Sequence, residues 1–159
     1  MRNWNKKLYL GAMPGTESTI DQWKTAMDEA GVSLSICLTP PEEIRRRSPA
    51  YALARSSGNV PHTLDVPIPD RNAPAKAGLF WRTAYVVATA LKVGDSVFVH
   101  CGAGIGRTGT FAIAVLTQLG YETKDAEHAV RETGSFPETE AQLQFVRTRQ
   151  GLKEAFEEQ

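Results

Sequence analysis

Cysteine is scarce in this chain. Its 159 residues hold two, Cys37 and Cys101, too few for a disulfide scaffold. Histidine is nearly as rare: His62, His100 and His128 lie scattered, without the spacing of metal ligands. No metal or other cofactor is called for. Net charge is missing too, because 18 Lys and Arg balance 18 Asp and Glu. Bulk attraction to nucleic acid or to an anionic membrane therefore has no source, and any affinity for anions must be local. No apolar run reaches the ~18 residues of a membrane span. The stretch Met1 to Leu10 is rich in Asn and Lys and lacks the apolar core of a signal peptide. These absences lead us to expect a cytoplasmic protein with neither nucleic-acid nor membrane partners.

What is present is ordinary for a globular chain: 42% hydrophobic and 23% charged residues, enough for one core and one domain over residues 1–159. Leu8-Tyr9-Leu10 reads as a first strand ended by Gly11 and Pro14. A helix capped by Thr19 runs to about Ala30 and stops at Gly31. Val32 to Leu38 reads as a buried strand, Glu42 to Ser57 as a helix interrupted by Pro49, and Thr63 to Ile68 as an extended segment at a sheet edge. A helix over about Ala75–Lys92 precedes the strand Ser96–His100. An almost uncharged helix, Thr108–Leu119, follows, and two more, about Lys124–Glu132 and Glu138–Glu157, complete the chain. Alternating strands and helices predict an α/β sandwich with a central, largely parallel sheet of about 4–5 strands flanked by helices. Such sheets carry their chemistry at the carboxyl ends of strands.

One such end carries Cys101-Gly102-Ala103-Gly104-Ile105-Gly106-Arg107-Thr108. Three glycines inside the loop let the backbone curl with its N–H groups inward as an anion nest. The helix that follows adds unpaired N–H groups and the positive end of its dipole. Arg107 supplies a planar fork for two phosphate oxygens. Helix N-termini and cationic neighbours lower a thiol pKa by several units, which would make Cys101 a nucleophile toward phosphorus. The Thr108 hydroxyl is placed to donate to the sulfur. Gly104-x-Gly106-x-x-Gly109 also matches the dinucleotide fingerprint, but that motif needs an acidic residue ending a second strand, whereas Asp125 and Glu127 fall in a predicted helix. The Gly-Lys-Ser/Thr of a nucleoside-triphosphate loop is absent.

The run His100 to Gly109 resembles the signature loop of the protein tyrosine phosphatase superfamily, and the chain's length and element order resemble its compact dual-specificity branch. The resemblance implies a cysteine-dependent phosphomonoesterase. Its substrate would be phosphotyrosine, with phosphoserine and phosphothreonine, in proteins, and it would work through a phosphocysteine intermediate. Phosphoinositides, inositol polyphosphates or RNA 5′-phosphates are the alternative substrates, and a non-catalytic phosphate-reading module is a third reading. Lipid-directed relatives often carry lysines in the loop, and residues 102–106 have none. The segment Ile68-Pro69-Asp70-Arg71-Asn72-Ala73-Pro74 resembles the family's mobile acid loop, with Ile68 where classical members have Trp and Asn72 in place of Gly. Asp70 would then protonate the leaving oxygen, with Asp65 the rival acid. Glu138-Thr139-Glu140-Ala141-Gln142 resembles the water-positioning loop, Gln142 matching its later Gln and Glu138 replacing the first. A plain helix start, with Thr139 as cap, is the competing reading.

Other residues keep two readings each. His100 is either the base of a Cys/His pair or a structural support of the loop. Arg45-Arg46-Arg47 is either a solvated helical face or a cationic rim. Cys37 is either core or a redox partner of Cys101.

Overall fold

In a computed structural model the described residues are 2–4 and 8–157, with side chains from residue 8 onward. The elements run in the order β1 (Arg2–Trp4), β2 (Leu8–Gly11), α1 (Ile20–Ala30), β3 (Val32–Cys37), α2 (Pro41–Arg47), α3 (Pro49–Ser56), β4 (Thr63–Asp65), α4 (Ala77–Lys92), β5 (Ser96–His100), α5 (Gly106–Gln118), α6 (Thr123–Glu132), α7 (Glu140–Arg147) and α8 (Leu152–Ala155). The sheet order is β1-β2-β5-β3-β4. Four strands are parallel, and β1 adds an antiparallel edge.

The apolar sequence of β5 suits the centre of this sheet, covered on both faces. Its side chains alternate between two cores. Val97, Val99 and Cys101 join the larger one with Leu8, Leu10, Ile36, Leu38 and the apolar faces of α4 and α5. Phe98 joins the smaller one with Met13, Trp23, Met27, Cys37, Ile44 and Tyr51. The sheet thus stands between Cys37 and Cys101, and Cys37 is a core residue whose thiol burial pushes up to about 11.

Three expectations about elements change. Proline cannot continue a helix from within, so Glu42 to Ser57 is two helices, α2 and α3, meeting at Ser48–Pro49. The expected helix Glu138–Glu157 is also two. Arg149 and Gly151 both take positive φ, 53° and 77°, and the Gln150 carbonyl between them accepts from Trp81 Nε1 at 2.8 Å. The extended segment from Thr63 keeps strand pairing only to Asp65, although the Val66 and Ile68 N–H groups still donate to the Cys37 and Leu38 carbonyls at 2.9 and 3.0 Å. Among the described residues no helix is long and apolar enough to cross a membrane.

Candidate active site

The parallel strands β2, β3, β4 and β5 end on one side of the sheet, and the loop that follows β5 is held there from outside. The Gly102 carbonyl accepts from Met13 N at 2.9 Å and the Ile105 carbonyl from Phe136 N at 3.1 Å. The Gly104 carbonyl accepts from Ser135 Oγ at 2.7 Å, and the Cys101 carbonyl from His100 Nδ1 at 3.2 Å. Across a trans peptide the N–H points opposite to the C=O, and no peptide is cis among the described residues. The N–H groups of Gly102, Ala103, Ile105 and Gly106 therefore face away from this scaffold. Gly104 sits at φ 78°, and a Cβ there would lie 2.5 Å from the Gly11 carbonyl. Only glycine lets the back of the loop rest on β2.

Helix α5 begins at Gly106, two residues earlier than expected, so Arg107 and Thr108 lie in its first turn. Thr108 Oγ1 donates to Cys101 Sγ at 3.0 Å. Arg107 is 2% exposed. Its Nη1 donates to Glu43 Oε1 at 3.1 Å and to the Ile68 carbonyl at 2.8 Å, and its Nη2 to Glu43 Oε2 at 2.9 Å. Burial opposes the Arg107 cation, but the Glu43 hydrogen bonds and the charges of Cys101, Glu43 and Asp70 outweigh it. Burial likewise raises the Glu43 carboxyl, and the hydrogen bonds and charges of Arg107 and Arg47 more than reverse this. One donor of the fork is left over: Arg107 Nε is buried with no acceptor among the described residues.

His100 is fully buried. Burial is the main force that lowers its pKa, to about 3, so the ring is neutral at physiological pH. A carbonyl only accepts, so the bond to Cys101 O puts the ring proton on Nδ1, and Nε2 accepts from Tyr51 Oη at 2.9 Å. Both ring nitrogens are engaged in bonds that brace the loop, which leaves neither for a Cys/His base pair.

The two candidate acids separate. Asp65, on β4, takes Arg55 Nη2 at 2.8 and 2.9 Å, away from the loop. Asp70 is 59% exposed at its side chain, and its Oδ1 lies 3.3 Å from Arg107 Nη2. The segment carrying it is latched to α7. Thr139 Oγ1 donates to the Arg71 carbonyl at 3.1 Å, and Gln142 Nε2 to the Asn72 carbonyl at 3.3 Å. Arg71, next to Asp70, has φ 67°, strained for a non-glycine residue. Thr139 is also the cap of α7, accepting from Gln142 N at 3.2 Å, and Gln142 Oε1 accepts from Glu138 N at 2.8 Å. The plain helix start and a place beside the loop therefore coincide: a Cβ on Gly106 would come 3.1 Å from Gln142 Oε1.

Sequence reasoning missed Glu43 and Tyr51. Glu43 holds Arg107 and Tyr51 holds His100, each from a helix remote in the chain, and neither stands in a motif.

Comparison with known proteins places this geometry. A search of curated proteins found no match. Among solved structures the chain is similar to kinase associated phosphatase with its catalytic-site cysteine substituted by serine, with TM-score 0.78 and 18% identity over 92% of this chain and 87% of that one. It is similar to the human tyrosine phosphatase-like serine/threonine/tyrosine-interacting protein, with TM-score 0.76 and 20% identity over 96% and 97%. It is also similar to PTPMT1 in complex with PI(5)P, with TM-score 0.71 and 19% identity over 95% and 93%. At these identities the likeness is one of fold. The family model described as PTP-SAK, the Swiss Army Knife protein DSP-PTPase phosphatase domain, matches residues 1–158, and the chain belongs to that family of dual-specificity-type phosphatases.

Proposed function

We propose that the chain is one catalytic unit that hydrolyses phosphomonoesters through a phosphocysteine intermediate, with phosphotyrosine, and phosphoserine or phosphothreonine, in proteins as substrates. The observation that carries this reading is the buried Arg107 Nε–H without an acceptor, on the guanidinium next in sequence to the hydroxyl that donates to Cys101 Sγ. A buried donor left unpaired costs about 1–3 kcal/mol, and a phosphate oxygen would satisfy it together with the loop N–H groups.

In the first step the ionised Cys101 sulfur attacks phosphorus in line, and the P–O bond to the leaving group breaks. Asp70 gives its proton to the departing oxygen. In the second step water, deprotonated by Asp70, attacks the phosphocysteine, the S–P bond breaks, and Thr108 Oγ1 steadies the departing thiolate. Residues 102–106 and Arg107 gather the equatorial oxygens, whose charge they balance in the transition state. His100 and Glu43 hold the loop and the fork, and Gln142, whose Oε1 would lie 3.1 Å from a Cβ on Gly106, positions the attacking water. A nucleophilic thiol survives in a reducing compartment, which fits the cytoplasm.

The test is hydrolysis of an aryl phosphate and of phosphotyrosyl peptides. Cys101→Ser should lose all turnover. Asp70→Asn should lose ~10²–10⁴-fold with poor leaving groups and much less with p-nitrophenolate, as expected for general acid catalysis. Near-normal turnover by Cys101→Ser would end the proposal.

A further inference from the structure

The segment before α7 brings to the loop a carboxylate that no cation of the described residues answers. This segment is packed against the loop. Ser135 Oγ donates to the Gly104 carbonyl at 2.7 Å and Phe136 N to the Ile105 carbonyl at 3.1 Å. A Cβ on Gly109 would overlap the Phe136 backbone, so the segment also rests on the first turn of α5. Pro137 then fixes its own φ, and Glu138 N donates to Gln142 Oε1 at 2.8 Å. The Glu138 backbone is thus held on both sides. Its Oε1 would lie 2.5 Å from a Cβ on Gly106. Gly106 has no side chain, and the Glu138 carboxylate takes that place, beside an N–H that the loop turns toward the anion.

The other two carboxylates of this site have cations. Glu43 holds Arg107 and Arg47, and Asp70 lies 3.3 Å from Arg107. The Glu138 carboxylate has no hydrogen bond or ion pair among the described residues. Arg131, which α6 brings to the same segment, lies over the Phe136 ring at 4.8 Å instead. Glu138 is exposed and so is open to whatever approaches the loop. A negative charge beside a dianion site repels the substrate, unless the substrate brings the missing cation with it. The Gln that Glu138 replaces would carry no such charge.

We propose that Glu138 is a specificity-determining residue that favours phosphorylated sites with a lysine or arginine next to the phosphoresidue and disfavours sites flanked by acidic residues. The proposal rests on the Cys101 chemistry above and narrows its protein substrates to basic sequence contexts. A lysine or arginine carries its charge on a long flexible stem, which can run beside a phosphotyrosine ring and reach the edge of the loop. There the cation faces both anions, the carboxylate and the phosphate.

The test measures kcat/KM for phosphotyrosyl peptides that differ only in the residues on either side of the phosphotyrosine: lysine, alanine or glutamate. p-Nitrophenyl phosphate reports the basic chemistry. The wild type should prefer lysine over alanine by about two- to fivefold, the range of an exposed ion pair, and alanine over glutamate by a similar factor. Glu138→Gln should flatten the series, Glu138→Lys should invert it, and rising salt should compress it. Each readout is a ratio within one variant, so a general loss of activity or of stability does not imitate it. Inversion by a reversed charge is a result that a purely structural residue does not give. A flat series in the wild type, or a lysine preference that Glu138→Gln keeps, overturns the proposal. No hydrolysis of any substrate, p-nitrophenyl phosphate included, strikes the Cys101 reading itself and the proposal with it.

Discussion

Two loops meet at Arg107, and they are built in opposite ways. The loop from Cys101 to Ile105 is gripped from behind: four of its carbonyls accept from β2's exit, the segment before α7, and His100. The loop carrying Asp70 is held on both sides of the aspartate, by backbone pairing at its entry and by side chains beyond it. Its entry is paired to β3's exit and gives the Ile68 carbonyl to Arg107. Its far side hangs on two side-chain bonds from Thr139 and Gln142, with Asp70 itself exposed. A cradle for an anion must be rigid, because its donors work only if they need no reorganisation. An acid that must meet leaving groups of different shape gains from a weaker tether.

Removing the carboxylate that anchors the rigid side should have the largest effect on stability. Glu43→Ala leaves the buried Arg107 cation short of a partner, which costs about 3–5 kcal/mol in comparable buried pairs. The Arg55–Asp65 pair is just as short but half exposed on its acidic side, and Asp65→Ala should cost only about 0–1 kcal/mol. Denaturant midpoints of the two variants measure the contrast, and equal losses would deny the rigid side its special status. The tether comes next. Gln142→Leu or Thr139→Val should lower turnover of alkyl phosphates by roughly tenfold, part of the ~10²–10⁴ that the acid supplies. Turnover of p-nitrophenyl phosphate should fall less. An equal fall for both substrates would mean that these residues serve the cradle and not the acid.

The remaining contrast is a pH slope. Burial keeps His100 neutral down to about pH 3, against roughly 6.5 when unfolded. Between those values the unfolded chain binds one more proton, so stability is full above pH 6.5 and falls as pH drops toward 3. Glu43, held below its ordinary value, adds a loss of the same sign below pH 4.5. His100→Asn should flatten the upper part of this slope in thermal melts from pH 7 to 4; an unchanged slope would contradict a neutral buried ring.

The parts of this site that were legible in the sequence are those written in consecutive residues. Cys101 to Thr108 is such a run, and so is Pro69-Asp70 with its later proline. The alternation of elements likewise pointed to a parallel sheet. What escaped was supplied across space. Glu43 looks like any first-turn residue of a short charged helix. Tyr51 reads as generic core until His100 is placed against it. The break after α7 did have a signal in Gly151, but the helical pattern around it was strong enough to carry the expectation through. The antiparallel edge strand Arg2–Trp4 had no apolar run to announce it.

The most direct test of the account is to catch the intermediate. Wild type and Asp70→Asn should be mixed with an aryl phosphate, quenched in acid within one turnover, and digested for peptide mass spectrometry. One phosphoryl group should appear on the peptide containing Cys101, labile as a thiophosphate, and vanish in Cys101→Ser. A phosphoryl group on any other residue, or steady product release by Cys101→Ser, would contradict the account.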